Sequence, residues 1–166
     1  MTNTLIDTRP GTYTIDPVRS SVRFTGAHVF GLKPVDGIMT IRSGTVMVAA
    51  EPRRSTVSAE IEAASWKTDD ARRDRDVKGK RFLDAAHHPV IGFRSTGIAQ
   101  GADGWQVIGE LSVRGGSCEV MLHLTDAGPD RFTASARVDR VAAGVASGRA
   151  IIGRYVDVTL EISLLG

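Results

Sequence analysis

A chain of 166 residues with one cysteine, Cys118, holds no internal disulfide and no cysteine-built zinc site. Aromatic residues make up only 5%, too few for a set of base-stacking platforms. A net charge of +2 is too small for a nucleic-acid binder. Much of the basic charge also lies beside acid, as in Arg72-Arg73-Asp74-Arg75-Asp76. No apolar run approaches the ~18 residues of a spanning helix, so stable membrane insertion is not expected. The opening residues Met1 to Asp7 lack the basic and apolar regions of a signal peptide, which makes the cytoplasm the expected compartment. No G-x-S-x-G or similar nucleophile motif occurs.

What is present is alternation with period two, the mark of half-buried strands. Val156, Val158, Leu160, Ile162 and Leu164 alternate with Tyr155, Asp157, Thr159, Glu161 and Ser163. The rhythm recurs from Trp105 to Val113, from Cys118 to Leu124 and from Phe132 to Val138. Further candidates are Thr12 to Asp16, Ser21 to Thr25, Gly37 to Ala49, Ser55 to Ala64 and Val90 to Thr96. Turn residues separate them, among them Asp16-Pro17, Glu51-Pro52, Gly115-Gly116 and Gly128-Pro129-Asp130. Eight or so strands on short turns predict an all-β antiparallel sandwich or closed barrel. We read residues 1–10 as a tail and 11–166 as one domain.

One segment departs from the rhythm. Thr68 to Lys78 reads as a short helix with Thr68 as N-cap, Asp69 and Asp70 in the first turn, and Gly79 beyond the end. Asp69 with Arg73, Arg72 with Asp76, and Asp74 with Lys78 are spaced to pair along it. A helix inserted midway in a β-meander plugs or lids one end of a barrel. Val141 to Gly148, rich in small residues, reads as a loop or short helix.

Whether such a barrel is filled turns on its inward positions. Ala59, Ala63, Gly109, Ala134 and Ala136 fall on the inward phase and are small. Eight strands enclose just enough room for side chains or for one ligand. A void of about 300 Å³ would cost about 7 kcal/mol, comparable to the roughly 5–15 kcal/mol stability of a domain. The barrel must therefore collapse, fill with larger side chains, or keep an apolar guest. Periodicity alone leaves a well-packed barrel and a hollow one open.

The motifs are similar to those of a known family. Thr68-Asp69-Asp70-Ala71-Arg72-Arg73-Asp74 through Phe82-Leu83-Asp84 resembles the T-G-N-x-x-R-D-x-x-L-x-x-x-x-F-F/L-D signature of the YceI-like family. The likeness continues through His88-Pro89-Val90-Ile91-Gly92-Phe93. Tyr13-Thr14-Ile15-Asp16 with Ser20-Ser21-Val22-Arg23-Phe24 and His28 resembles its opening. Gly109-Glu110-Leu111-Ser112-Val113-Arg114-Gly115 resembles its G-x-L-T-I-x-G strand, and Arg140 with Gly144 its late R-x-x-x-G. Departures are Arg19 for the usual histidine, Thr68-Asp69-Asp70 for T-G-N, and Gly116-Ser117-Cys118 after the glycine turn. The resemblance implies an extended, lipocalin-like antiparallel barrel of about eight strands with one short helical insertion near one end. It implies a hydrophobic ligand (a polyisoprenoid quinone, a polyprenyl phosphate or a fatty-acid-like lipid), no further cofactor, no catalytic residues, and a homodimer.

On this reading the tail would meet Phe24, Phe30, Ala59, Ile61, Phe82, Phe93, Leu111, Leu122, Phe132 and Ala134, several of which could equally be ordinary core. Arg73 and His28 are the head-group candidates. A guanidinium suits phosphate, although an ion pair fixing the helix is the favoured role for Arg73, and Asp69 and Asp70 would repel an anion. A neutral quinone or amide stays plausible. His87-His88 would point to opposite strand faces, and His28 and His123 lie far off in sequence, so no metal is expected. Cys118 reads as a small core residue. The alternatives to a lipid binder are a cofactor-independent enzyme using His28, His88 or an aspartate at the barrel mouth, and a dimeric interaction scaffold.

Overall fold

The computed structural model describes residues 8–28, 35–102, 104–145 and 152–165, with side chains left undescribed at 27, 28, 152 and 153. Ten strand segments and one helix are present among them: β1 (Gly11–Ile15), β2 (Ser21–His28), β3 (Val35–Met39), β4 (Ile41–Val48), β5 (Thr56–Glu62), α1 (Ala71–Lys78), β6 (Val90–Gly101), β7 (Gly104–Val113), β8 (Gly116–Ala127), β9 (Arg131–Asp139) and β10 (Ile152–Leu165). All pairings between strands are antiparallel, in the order β1-β4-β5-β6-β7-β8-β9-β10-β2-β3, and β1 also pairs with β10.

Ten segments make eight strands. β1 and β2 share one edge of β10, Ile15 lying opposite Leu164 and Ser21 opposite Glu161. β3 and β4 take up β2 and β1 in turn. Each pair is one bent strand, broken at 16–20 and at Thr40, and the sheet closes into a barrel, with the outer side of β3 held by the single bridge of Ile38 to Lys67. The single strand that alternation predicts over Gly37 to Ala49 is interrupted at Thr40. Asp16 holds the first bend by accepting hydrogen bonds from the N–H groups of Val18 and Arg19.

Bulges reset the inward phase. On β6 the inward residues are odd-numbered at Ile91 and Phe93 and even-numbered at Ile98, because register slips between Ser95 and Gly97. Ser95 Oγ accepts a hydrogen bond from Val57 N–H there, at 2.8 Å.

The long connection 63–89 crosses one end of the barrel and carries α1. Short turns close the opposite end, with a single 3₁₀ turn at Pro52–Arg54. The N-cap of α1 is Asp70, whose carboxylate accepts from the N–H groups of Arg72 and Arg73. The sequence reading gave that role to Thr68. Thr68 instead donates its backbone N–H and its hydroxyl to the buried Asp74 carboxylate, at 2.9 and 2.6 Å. Residues 141–145 form a turn, and 146–148 lie outside the described residues.

Buried apolar residues form three separate clusters. One includes Ile15, Val22, Ile41, Val46, Val48 and Leu164, on one wall. Phe93, Val107 and Val120 form another on the opposite wall. The third, with Ala63, Leu83, Ile91, Val113 and Ala143, sits beneath the α1 connection. A domain usually has one contiguous core; here a cavity runs between the parts.

Candidate functional site: the barrel lumen

The cavity has a volume of about 440 Å³. Its wall follows the strand alternation: Phe132, Ala134, Ala136 and Val138 on β9, and Val156, Val158, Leu160 and Ile162 on β10. Six residue rises along either strand give a lined length of about 20 Å, so the space is elongated. Among the described side chains lining it, only Ser55, Arg73 and Arg140 are polar or charged apart from the Trp66 indole. A void of this volume would cost about 10 kcal/mol if nothing occupied it, which rivals the stability of a whole domain.

The residues expected to meet a tail fall as follows. Phe24, Ala59, Ile61, Phe82, Phe93, Leu111, Leu122, Phe132 and Ala134 all line the lumen. Phe30 lies outside the described residues, as does the side chain of His28. Arg73 lines the lumen from α1, one turn before Val77. Among the small positions, Ala136 also lines it, but Ala63 packs into the cluster under the connection instead. Gly109 is hidden beneath the Phe93 ring, since a Cβ there would lie 2.4 Å from Phe93 Cζ.

Several wall residues were read as strand but not as site. Val156 to Ile162 carried a usable signal, namely the alternation itself. Trp66 carried none, and Arg140 was marked only by the R-x-x-x-G spacing. Trp66 follows a 3₁₀ turn at Ala63–Ser65 and stacks on Phe24 with ring centroids 3.8 Å apart. Arg140 is buried and donates to the Val145 carbonyl at 2.7 Å, while Gly144 takes a φ of +104° between them. This is what the R-x-x-x-G spacing builds: a closed turn at the lumen's end.

The electrostatics of the α1 end are largely self-compensated. Arg73 lies 3.8 Å from Asp69 and 3.7 Å from Asp70, and remains about a third exposed. For Asp74, burial alone would raise the pKa, but the Thr68 hydrogen bonds, with Lys78 and Arg73 nearby, outweigh it and hold the carboxyl below its ordinary value. Asp84 is lowered chiefly by its hydrogen bond with His87 Nδ1 at 2.9 Å. Asp139 is lowered chiefly by Arg154, and it also accepts from the N–H groups of Val141 and Ala142. Arg114 ties the β7–β8 turn to the connection by donating to the Phe82 carbonyl at 2.9 Å.

His87 and His88 sit in a turn and not on a strand, both N–H groups reaching the Asp84 carbonyl. His88 lies beside Gly115, and His123 is exposed on β8. Neither is part of the described lining. That lining contains no imidazole, carboxylate or thiol. Cys118 is half-buried against two of the clusters, with burial and then Asp139 raising its thiol pKa. Among the described residues, no three His, Cys, Asp or Glu side chains gather as a metal site, and no helix is long and apolar enough to cross a membrane.

A YceI-like domain is matched over residues 13–164. The chain belongs to the YceI-like family. It is 37% identical over 68 residues to a UPF0312 protein of Azotobacter vinelandii, covering 40% of this chain and 35% of that one. It is also 37% identical over 81 residues to a UPF0312 protein of Yersinia pestis, covering 48% and 42%. These matches span less than half of each relative's length. Burkholderia cenocepacia BcnA superposes with a TM-score of 0.73 at 22% identity, covering 89% of this chain and 98% of that one. A polyisoprenoid binding domain from Saccharophagus degradans, implicated in plant cell wall breakdown, superposes at 0.61 with 12% identity, covering 92% and 97%. At such identities these structures establish the YceI-like fold.

Proposed function

We propose that this YceI-like barrel binds one long-chain isoprenoid or similar amphiphile in its lumen, to store or carry it. The observation that carries the reading is the elongated, hydrocarbon-lined cavity of about 440 Å³ that divides the core into three clusters. Each tail carbon buried there contributes up to about 0.8 kcal/mol, so a few isoprene units offset the void. The S. degradans domain, described as polyisoprenoid-binding, supports the choice of tail.

The head group faces the α1 end, where Arg73 both lines the lumen and reaches solvent. Two carboxylates already lie within 4 Å of that guanidinium, which favours a neutral acceptor such as a quinone or amide over a pyrophosphate. A homodimer, implied by the family resemblance, belongs to this reading and is measured by light scattering.

Native mass spectrometry of protein purified without delipidation tests the reading. The expected result is a one-to-one adduct that organic extraction identifies as a prenyl or acyl lipid. Adduct-free protein that also fails to take up added prenyl lipid overturns it.

A further inference from the structure

Three inward-phase glycines leave their seats to a neighbour's side chain. A Cβ at Gly37 would lie 2.2 Å from Phe24 Cζ, one at Gly109 would lie 2.4 Å from Phe93 Cζ, and one at Gly44 would lie 2.5 Å from Ile15 Cδ1. Phe24 and Gly37 are direct partners across β2 and β3. Phe93 pairs with Leu111, so Gly109 is its diagonal neighbour two residues along β7. Each ring therefore lies over the bare backbone of the adjoining strand instead of standing into the lumen. In an eight-stranded barrel, whose interior is barely wider than its own side chains, that choice sets the bore.

We propose that Gly109, by seating Phe93, is a specificity-determining residue: it keeps the lumen wide enough for a methyl-branched isoprenoid tail and not merely a straight acyl chain. The inference rests on the lumen being the lipid site. Every isoprene unit adds a methyl side branch to the main chain, and a pocket discriminates a single such group by about tenfold or more. With the seat filled, the phenyl ring turns toward the lumen axis. The straight chain still passes; the branched one meets the ring.

The test is competition between 3,7,11,15-tetramethylhexadecan-1-ol, a saturated isoprenoid alcohol, and hexadecanol, which share main-chain length, saturation and hydroxyl head and differ in branching. The bound ratio is read by native mass spectrometry. Gly109→Ala is expected to shift the ratio toward hexadecanol by about tenfold or more. A Cβ there also comes within 2.7 Å of the Arg94 carbonyl oxygen, so this variant can fail to fold. Phe93→Trp provides the second variant, since an indole is too large for the seat and leaves the backbone at Gly109 untouched; the same shift is expected. Adding Phe93→Leu to Gly109→Ala should restore the native ratio. Folded variants with an unchanged ratio, or with equal loss of both alcohols, overturn the proposal. If the unmodified protein binds neither alcohol, the lumen reading itself falls and takes this inference with it.

Discussion

The wall of the barrel and the connection that crosses its α1 end are built on different principles. Backbone ladders and repeated apolar positions make the wall, where neighbours share each role. The connection adds individual polar bonds to its apolar cluster around Ala63, Leu83 and Ala85: Asp70 on the first turn of α1, Asp74 on Thr68, His87 on Asp84, and Arg114 on the Phe82 carbonyl. α1 turns little into the interior, chiefly Asp74, Val77 and Arg73. The wall should therefore tolerate change wherever it faces the lumen, and the connection should fail one bond at a time.

The largest effect separates packed wall from lumen. Leu164 is 4% exposed within one of the apolar clusters and lies outside the lumen lining, and Leu164→Ala should cost about 2–5 kcal/mol in urea unfolding. Leu122 lines the lumen, where the deleted methyls have fewer packed neighbours, so Leu122→Ala should cost about 1–2 kcal/mol. Equal costs would mean that the lumen is packed like core. Asp74→Ala comes next: it strands the Thr68 N–H and hydroxyl and should cost about 1–3 kcal/mol, with hydrogen exchange rising in 68–85 first.

Acid should reach the same end of the molecule. Asp74, Asp84 and Asp139 all have folded pKa values below the ordinary one. Their contribution is complete above about pH 5, where an unfolded aspartate is essentially fully ionised. It is lost as pH falls through the lower folded values. Hydrogen exchange along a descending pH series should show 68–88 and 140–145 opening before β6 to β8; simultaneous opening would remove the distinction between wall and connection. Asp70→Ala, the loss of an N-cap, should cost about 1 kcal/mol in the same unfolding assay. Arg137→Ala removes an exposed pair with Asp157 on the outer wall and should leave the unfolding midpoint unchanged.

The same contrast explains what the sequence could reveal. Alternation identified β7 to β10 and their inward faces correctly, because each strand repeats the signal several times. It could not show the bulge at Ser95–Gly97, where one extra residue reverses the phase, nor the break at Thr40, which comes from one strand passing between two partners. Eight of the nine expected tail residues that line the lumen do so because a half-buried strand leaves few choices; the ninth, Phe82, lies in the turn after α1 and came from the family motif. Trp66 was missed, since it reaches the cavity from the irregular backbone after a 3₁₀ turn and is held by its stack on the distant Phe24; Arg140 was marked by its motif, but the spacing alone did not show that it faces the lumen. Asp70 and not Thr68 caps the helix because either can do so, and the buried Asp74 engages Thr68 instead.

The most direct test of the central claim is a crystal structure of the protein as purified, without delipidation. The account predicts continuous elongated density along the lumen between the Phe132–Val138 and Val156–Ile162 walls, with its head near Arg73. A lumen closed by repacked side chains, with no such density, would contradict it.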